Sequence, residues 1–244
     1  MTALELRRSA SGVVLVGHRG AAALAPENSL EAIEAAAAVG VDAVELDVLR
    51  RDDGALVLAH GPGLPPDAPL LGDALALAAR LCLAVQLDVK IEGTETDVAV
   101  ALREHGLEER VFVSSFALPI LRAFAAALPA VPRSLTYPED RLGVADRLLL
   151  RPAVRTGLAI LRARLPRRLP GWLERAGAQA ATLNWAVVTP AAVAACHAAG
   201  AAVYVWTVNE PALARTLVES GIDGIITDDP RILDPRPPAP PIAR

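Results

Sequence analysis

The sequence predicts a single (β/α)₈ barrel, and three features of its 244 residues indicate this fold. Eight short runs rich in Val, Ile and Leu alternate with Ala- and Leu-rich stretches of helical length, a pattern typical of a parallel sheet covered by helices. The length is that of one barrel domain. His18-Arg19-Gly20 follows the first run, whereas a doubly wound nucleotide-binding sheet would have a glycine-rich turn there.

The predicted elements follow from these runs and from the turn residues between them. The strands span 13–16, 43–48, 81–89, 111–114, 131–135, 180–183, 202–206 and 224–227, and the helices span 29–39, 73–80, 95–104, 118–127, 190–199 and 210–219, with more helix inside 145–175. Asn28 is the predicted N-cap of the first helix, because Glu31 follows three residues later. The turn signal at 52–54, followed by 55–59 as a returning strand, predicts a short β-hairpin after the second strand.

Two segments differ from the rest of the chain. Residues 141–175 carry nine arginines against two acidic residues, which predicts a basic helical insertion. It either packs its apolar side on the barrel or makes weak contact with a membrane surface. Six prolines fall among the fifteen residues from 230 to 244. We therefore expect a barrel domain over 10–230 and a poorly ordered tail over 231–244.

Composition excludes some classes of function. A net charge of −4 and 3% aromatic residues argue against a nucleic-acid binder, which needs excess Lys and Arg or stacking aromatics. Cys82 and Cys196 each lie in an apolar stretch, so we expect two buried free thiols and a cytoplasmic location. The sequence has no apolar run long enough to span a membrane.

Acidic residues are concentrated where the predicted strands end, which is where barrel active sites lie. Glu45 and Asp47 are two apart on the second strand and share one face, and Asp88 ends the third strand. Three converging carboxylates repel one another unless a cation binds or one takes a proton. All-oxygen ligands favour one Mg²⁺ or Ca²⁺ ion. The alternative is that these acids form ion pairs with Arg19 or Lys90.

Basic residues flank the same predicted barrel mouth. Lys90 is the only lysine in the chain, and its compact charge suits either a phosphate oxygen or an ion pair with Asp88. His18 and His60 follow the first strand and the returning strand, a placement that suits paired acid–base catalysis. His105 and His197 lie on predicted helices and are interpreted as structural.

Seven segments, in order along residues 13–230, resemble the glycerophosphodiester phosphodiesterase family. They are His18-Arg19-Gly20, Pro26-Glu27-Asn28-Ser29, 40–48 (GVDAVELDV), 53–60 (DGALVLAH), 113–116 (VSSF), 203–209 (VYVWTVN) and 223–228 (DGIITD). The resemblance implies a barrel enzyme that uses a divalent cation to hydrolyse a glycerophosphodiester to glycerol phosphate and an alcohol, with a lysophospholipid as the other candidate small-molecule partner. It implies His18 and His60 as the acid–base pair, Glu45, Asp47 and Asp88 as metal ligands, and Arg19, Lys90, Glu27 and Trp206 around the substrate.

The sequence departs from the family pattern near the second histidine and the third acid. Gly61 stands where the family commonly has Asp, Asp88 stands in place of the usual Glu, and the chain between His60 and Asp88 lacks a Thr-rich, aromatic-containing insertion. Three other functions therefore stay open: a lysophospholipase D, a phosphatidylinositol phospholipase C-like enzyme, and an inactive barrel that binds phosphodiesters or a protein partner.

Overall fold

The computed structural model describes residues 5–8, 12–61, 63–138 and 151–233. In chain order its elements are β1 (Val14–Gly17), α1 (Leu30–Ala38), β2 (Ala43–Arg50), β3 (Leu56–Leu58), α2 (Leu71–Arg80), β4 (Ala84–Val89), α3 (Glu95–Glu104), β5 (Val111–Ser115), α4 (Leu118–Ala127), β6 (Arg133–Tyr137), α5 (Arg151–Ala176), β7 (Ala180–Asn184), α6 (Pro190–Ala198), β8 (Ala202–Trp206), α7 (Pro211–Glu219) and β9 (Gly224–Thr227). Single 3₁₀ turns follow β7 and β9.

Eight of the strands close into a parallel barrel, as the sequence predicts. The strand order is β1-β2-β4-β5-β6-β7-β8-β9, and β9 pairs with β1 in the register Val14↔Gly224. The ninth strand, β3, runs antiparallel to β2 and forms the predicted hairpin, with Val48 opposite Leu58. The α-helices cover the outside of the barrel and connect successive parallel strands.

The barrel interior is apolar at one end and polar at the other. Phe112 and Tyr204 fill the apolar end among small alanines, with their ring centroids 5.1 Å apart. Gly224 makes room for the tyrosine, because a Cβ there would lie 2.3 Å from the ring. Because side chains alternate along each strand, every second residue points into the barrel. Toward the C-terminal ends of the strands these inward residues are polar. They are Glu45, Gln86, Ser114, Thr182, Asp47 and Asp88, and all of them are buried.

Helix α5 accounts for the described part of the basic segment. Residues 151–176 form the barrel helix between β6 and β7, and Leu165, Leu169 and Leu173 are buried against the barrel. Residues 156, 157, 159 and 160 are exposed. Residues 141–150, and residues 234–244 of the predicted tail, lie outside the described residues. No helix in the described ranges is long and apolar enough to cross a membrane.

Three local predictions are wrong in instructive ways. Ser29, not Asn28, caps α1, because its hydroxyl accepts a hydrogen bond from the Ala32 amide at 3.0 Å. Cys82 is exposed, whereas Cys196 is buried as expected. The strand predicted over 81–89 begins only at Ala84, since the chain turns at Cys82 with a left-handed φ of 58°.

Candidate active site

A cavity of about 700 Å³ opens at the C-terminal ends of the barrel strands. Eight of the nine predicted site residues line it, namely His18, Arg19, Glu45, Asp47, His60, Asp88, Lys90 and Trp206. The ninth, Glu27, lies in an adjoining pocket and forms an ion pair with Arg19. The barrel topology therefore brings residues between His18 and Trp206, a span of 189 positions, into one site.

Glu45, Asp47 and Asp88 form a buried carboxylate cluster. The three residues are at most 5% exposed, and each offers an oxygen within 4.8 Å of the others. Parallel pairing of β2 with β4 places Asp47 directly beside Asp88. Three oxygen donors at this spacing could hold one metal ion.

The predicted alternative, ion pairing, is also present. Lys90 Nζ lies 2.8 Å from Asp47 Oδ1 and contacts Asp88 Oδ2 as well. Arg19 Nε lies 3.2 Å from Asp47 Oδ2. Burial opposes the charge of Lys90, but the carboxylates of Asp88 and Asp47 outweigh it and raise the pKa of the ammonium above its usual value.

Asp47 and Glu45 differ in the pKa of their carboxyl groups. Burial opposes the ionised form of Asp47, but hydrogen bonding to His60 and the charge of Lys90 lower its pKa below the usual range. The Glu45 carboxylate accepts a hydrogen bond from the Arg19 amide at 2.9 Å. Burial, reinforced by the charge of Asp47, raises the pKa of Glu45 to about 7. One carboxyl of the three is thus poised to take a proton, as the repulsion argument predicts.

His18 is oriented by a residue that sequence reasoning missed. Its Nδ1 lies 2.6 Å from Asp228 Oδ1, and Asn209 Nδ2 donates to the other oxygen of Asp228 at 2.6 Å. Burial lowers the pKa of His18, but the hydrogen bond to Asp228 and the charge of Glu45 outweigh it, so the pKa is raised. Asp228 follows β9 directly, so the rule that found His18 after β1 could have found it.

Asp47 is held by hydrogen bonds to both its side chain and its backbone. His60 Nδ1 lies 3.0 Å from its Oδ2. Asn28 donates to the same oxygen at 3.0 Å and accepts a hydrogen bond from the Asp47 amide at 3.0 Å. Asn28, which the sequence suggests only as a helix cap, therefore fixes both the side chain and the backbone of Asp47.

The remaining walls combine hydroxyl groups and aromatic rings. Ser114 donates to Asp88 Oδ1 at 2.7 Å. Phe116, a further lining residue that the sequence reasoning missed, packs edge-on against Trp206 with centroids 6.0 Å apart. Lys90 Nζ lies 5.4 Å from the centre of the Phe116 ring, within the range of a cation–π contact.

Comparison with known proteins places this geometry in a family. Residues 18–66 and 81–232 match the model of the glycerophosphoryl diester phosphodiesterase family. The chain belongs to this family. A glycerophosphodiester phosphodiesterase of Caldanaerobacter subterraneus is 25% identical over 90% of this chain and 96% of its own length. A relative from Mycobacterium tuberculosis is 32% identical over 89% of this chain and 88% of its own length.

Solved structures have the same fold. A phosphodiesterase of Oleispira antarctica, solved in complex with the product sn-glycerol-3-phosphate, superposes with a TM-score of 0.68 at 21% identity, covering 91% of this chain and 95% of its own. A glycerophosphodiester phosphodiesterase of Thermotoga maritima gives a TM-score of 0.66 at 21% identity, with 91% and 96% covered. At these identities the likeness supports the barrel fold of this family member.

Proposed function

We propose that this chain is a metal-dependent phosphoric diester hydrolase that cleaves glycerophosphodiesters to glycerol 3-phosphate and an alcohol. One observation carries the proposal: two histidines contact different members of a buried carboxylate cluster inside one cavity. His18 Nε2 lies 4.0 Å from Glu45, and His60 Nδ1 lies 3.0 Å from Asp47. Membership of the glycerophosphoryl diester phosphodiesterase family supports the same chemistry.

The cation in this proposal is one Mg²⁺ or Ca²⁺ ion held by Glu45, Asp47 and Asp88. When bound, it supplies a Lewis acid that neutralises charge on the phosphodiester oxygens. The spacing of these carboxylates supports the assignment, because each offers an oxygen within 4.8 Å of the others.

The two histidines move the protons. Asp228 accepts the Nδ1 hydrogen of His18, so the neutral ring presents Nε2 as a proton acceptor toward the cluster. His60 makes the corresponding contact with Asp47 through Nδ1, which leaves its Nε2 for proton transfer. One ring takes a proton from the nucleophile and the other protonates the leaving alkoxide.

Arg19 and Lys90 bind the phosphate in this scheme. Both already lie beside Asp47, so each can exchange a carboxylate contact for a phosphate oxygen as negative charge develops. Glu27 holds the Arg19 guanidinium in place. Trp206, which is anchored by its Nε1 hydrogen bond to the Thr182 carbonyl, forms the aromatic wall against the substrate.

The test is hydrolysis of glycerophosphocholine and glycerophosphoethanolamine, followed by enzymatic detection of glycerol 3-phosphate, and of lysophosphatidylcholine, followed by enzymatic detection of choline, because its other product keeps the acyl chain. We expect turnover with added Mg²⁺ or Ca²⁺ and its loss in EDTA. His18→Ala and His60→Ala should each lower kcat by about 10²-fold or more. An absence of turnover on all three substrates at saturating metal would contradict the proposal and favour the inactive phosphodiester-binding barrel.

Lysophospholipid is the second candidate substrate, because α5 carries an exposed basic and apolar surface. Ile160 is 47% exposed, and Arg162 and Arg164 lie on the same exposed stretch. This combination supports weak contact of 141–175 with anionic lipid. Flotation with phosphatidylserine vesicles tests it, since an absence of binding at low salt would exclude the membrane contact.

We also propose a cytoplasmic location. Both cysteines are free, and Cys82 is exposed, a state that a reducing compartment preserves. Fractionation of the native host, with immunodetection of this chain, tests the assignment. Recovery from an oxidising compartment or from the medium would contradict it.

A further inference from the structure

Gln86 is a buried side chain of the cavity that the scheme above does not use. It is 1% exposed and lies on β4, two residues before Asp88. Its carbonyl oxygen, Oε1, has no hydrogen-bond partner among the described residues. A buried amide oxygen without a partner is energetically unfavourable, so its retention in the cavity requires an explanation.

The orientation of this amide follows from the number of protons around it. The side-chain nitrogen of Gln86 donates to Ser114 Oγ at 2.9 Å, and Ser114 donates its one hydroxyl proton to Asp88 at 2.7 Å. An ionised carboxylate only accepts, so Ser114 must donate to Asp88 and must accept from Gln86. The amide nitrogen is therefore fixed toward Ser114, and Oε1 is the end that is left free.

The sheet register places Gln86 beside the carboxylate cluster. Gln86 pairs with Glu45 across β2 and β4, just as Asp88 pairs with Asp47. Neighbouring strands lie about 4.8 Å apart, and Gln86 and Glu45 both line the cavity. A cation held by Glu45 would therefore lie near the side chain of Gln86.

We propose that Gln86 Oε1 is a fourth protein ligand of the divalent cation, an inference that rests on the proposed function. An amide carbonyl is a hard oxygen donor of the kind Ca²⁺ accepts among its six to eight ligands, whereas Mg²⁺ keeps several waters. The extra neutral oxygen compensates for Asp88, which is one methylene shorter than a glutamate. It adds coordination without a fourth negative charge.

Calorimetric titration of the EDTA-treated and dialysed full chain with Ca²⁺ tests the proposal. We expect Gln86→Leu to weaken Ca²⁺ binding by about tenfold or more, and Gln86→Glu, which keeps an oxygen in place, to bind at least as tightly as the wild type. Gln179→Leu is the matched control, because this exposed glutamine lies directly before β7, does not line the cavity, and bonds to the backbone of Arg133 and Gly177; the Ca²⁺ Kd of this variant should stay unchanged.

Ser114→Ala is the accompanying variant. It removes the hydrogen bond to Asp88 and the acceptor of the Gln86 amide nitrogen but keeps the Gln86 oxygen in the cavity, so it should weaken Ca²⁺ binding less than Gln86→Leu does. A Gln86→Leu Kd within twofold of the wild type, or weaker binding by Gln86→Glu, would each overturn the inference. A wild-type chain that binds neither Ca²⁺ nor Mg²⁺ would instead overturn the proposed function itself.

Discussion

Replacing Asn28 by alanine should destabilise the protein and impair its activity together. β1 pairs with β2 only as far as Gly17↔Val44, so the Asp47 amide needs another acceptor, and the Asn28 side chain provides it. The same side chain donates to the Asp47 carboxylate. Asn28 therefore provides the hydrogen-bond acceptor for the β2 backbone at Asp47, beyond the point where β1 has stopped pairing with β2.

The magnitude can be worked from three contributions. An unpaired buried amide costs about 1–3 kcal/mol, and a hydrogen bond to a charged group contributes about 1.5–3 kcal/mol. Asn28 also has a left-handed φ of 55°, which costs alanine about 1–2 kcal/mol more. We expect a loss of about 4 kcal/mol for Asn28→Ala and about 3 kcal/mol for Asn28→Gly, which tolerates this φ.

Thermal unfolding and steady-state hydrolysis measure the two effects. A loss of 4 kcal/mol corresponds to a fall in Tm of about 8–16 °C for a chain of this size. We expect kcat to fall at least about tenfold, because Asp47 also holds His60 and Lys90. Ser29→Ala is the control: it removes the true helix cap, costs about 1 kcal/mol, and should leave kcat unchanged. Asn28→Ala behaving like Ser29→Ala would refute the reasoning.

Three further outcomes are expected. Asp228→Asn should lower kcat by about 10²–10⁴-fold with little change in KM, because an amide can donate to His18 and impose the wrong tautomer; wild-type kcat would contradict this role. Gly224→Ala should lower the free energy of unfolding by about 1–3 kcal/mol, since the new Cβ would overlap the Tyr204 ring; an unchanged Tm would contradict the overlap. At pH 8 a thiol reagent should label exposed Cys82 but not Cys196, whose pKa burial raises to about 12; two labelled thiols per native chain would contradict this.

The barrel and its acidic cluster could be predicted because their signals are local. A strand period of two puts Glu45 and Asp47 on one face without knowledge of any neighbour. The rule that barrel chemistry lies at the strand C-termini then directs attention to Asp88 as well. Both inferences depend on the position of a residue within its own strand, which the sequence displays directly.

The residues that hold the site side chains in place, such as Asp228 beside His18, do so through contacts between distant segments. Such contacts cannot be read from a local sequence pattern. His18 and Asp228 are 210 residues apart, and only closure of β9 onto β1 brings them together. Asn28 and Ser29 are both good helix caps by residue type, so propensity alone cannot assign the cap. Cys82 has apolar neighbours in sequence, but its left-handed turn exposes it.

In the proposed function the cation and the ion pairs share the same oxygens, so the two interpretations of the cluster describe successive states of one site. Both oxygens of Asp47 are already in contact with cationic or donor groups, Lys90 at Oδ1 and Arg19, His60 and Asn28 at Oδ2. A cation held by Asp47 would therefore compete with one of these groups. Lys90 is the group best suited to leave, because its flexible stem carries a point charge that a phosphate oxygen can accept equally well. In the proposed function, the one lysine of the chain thus neutralises the acids before the cation binds and becomes available to the substrate afterwards.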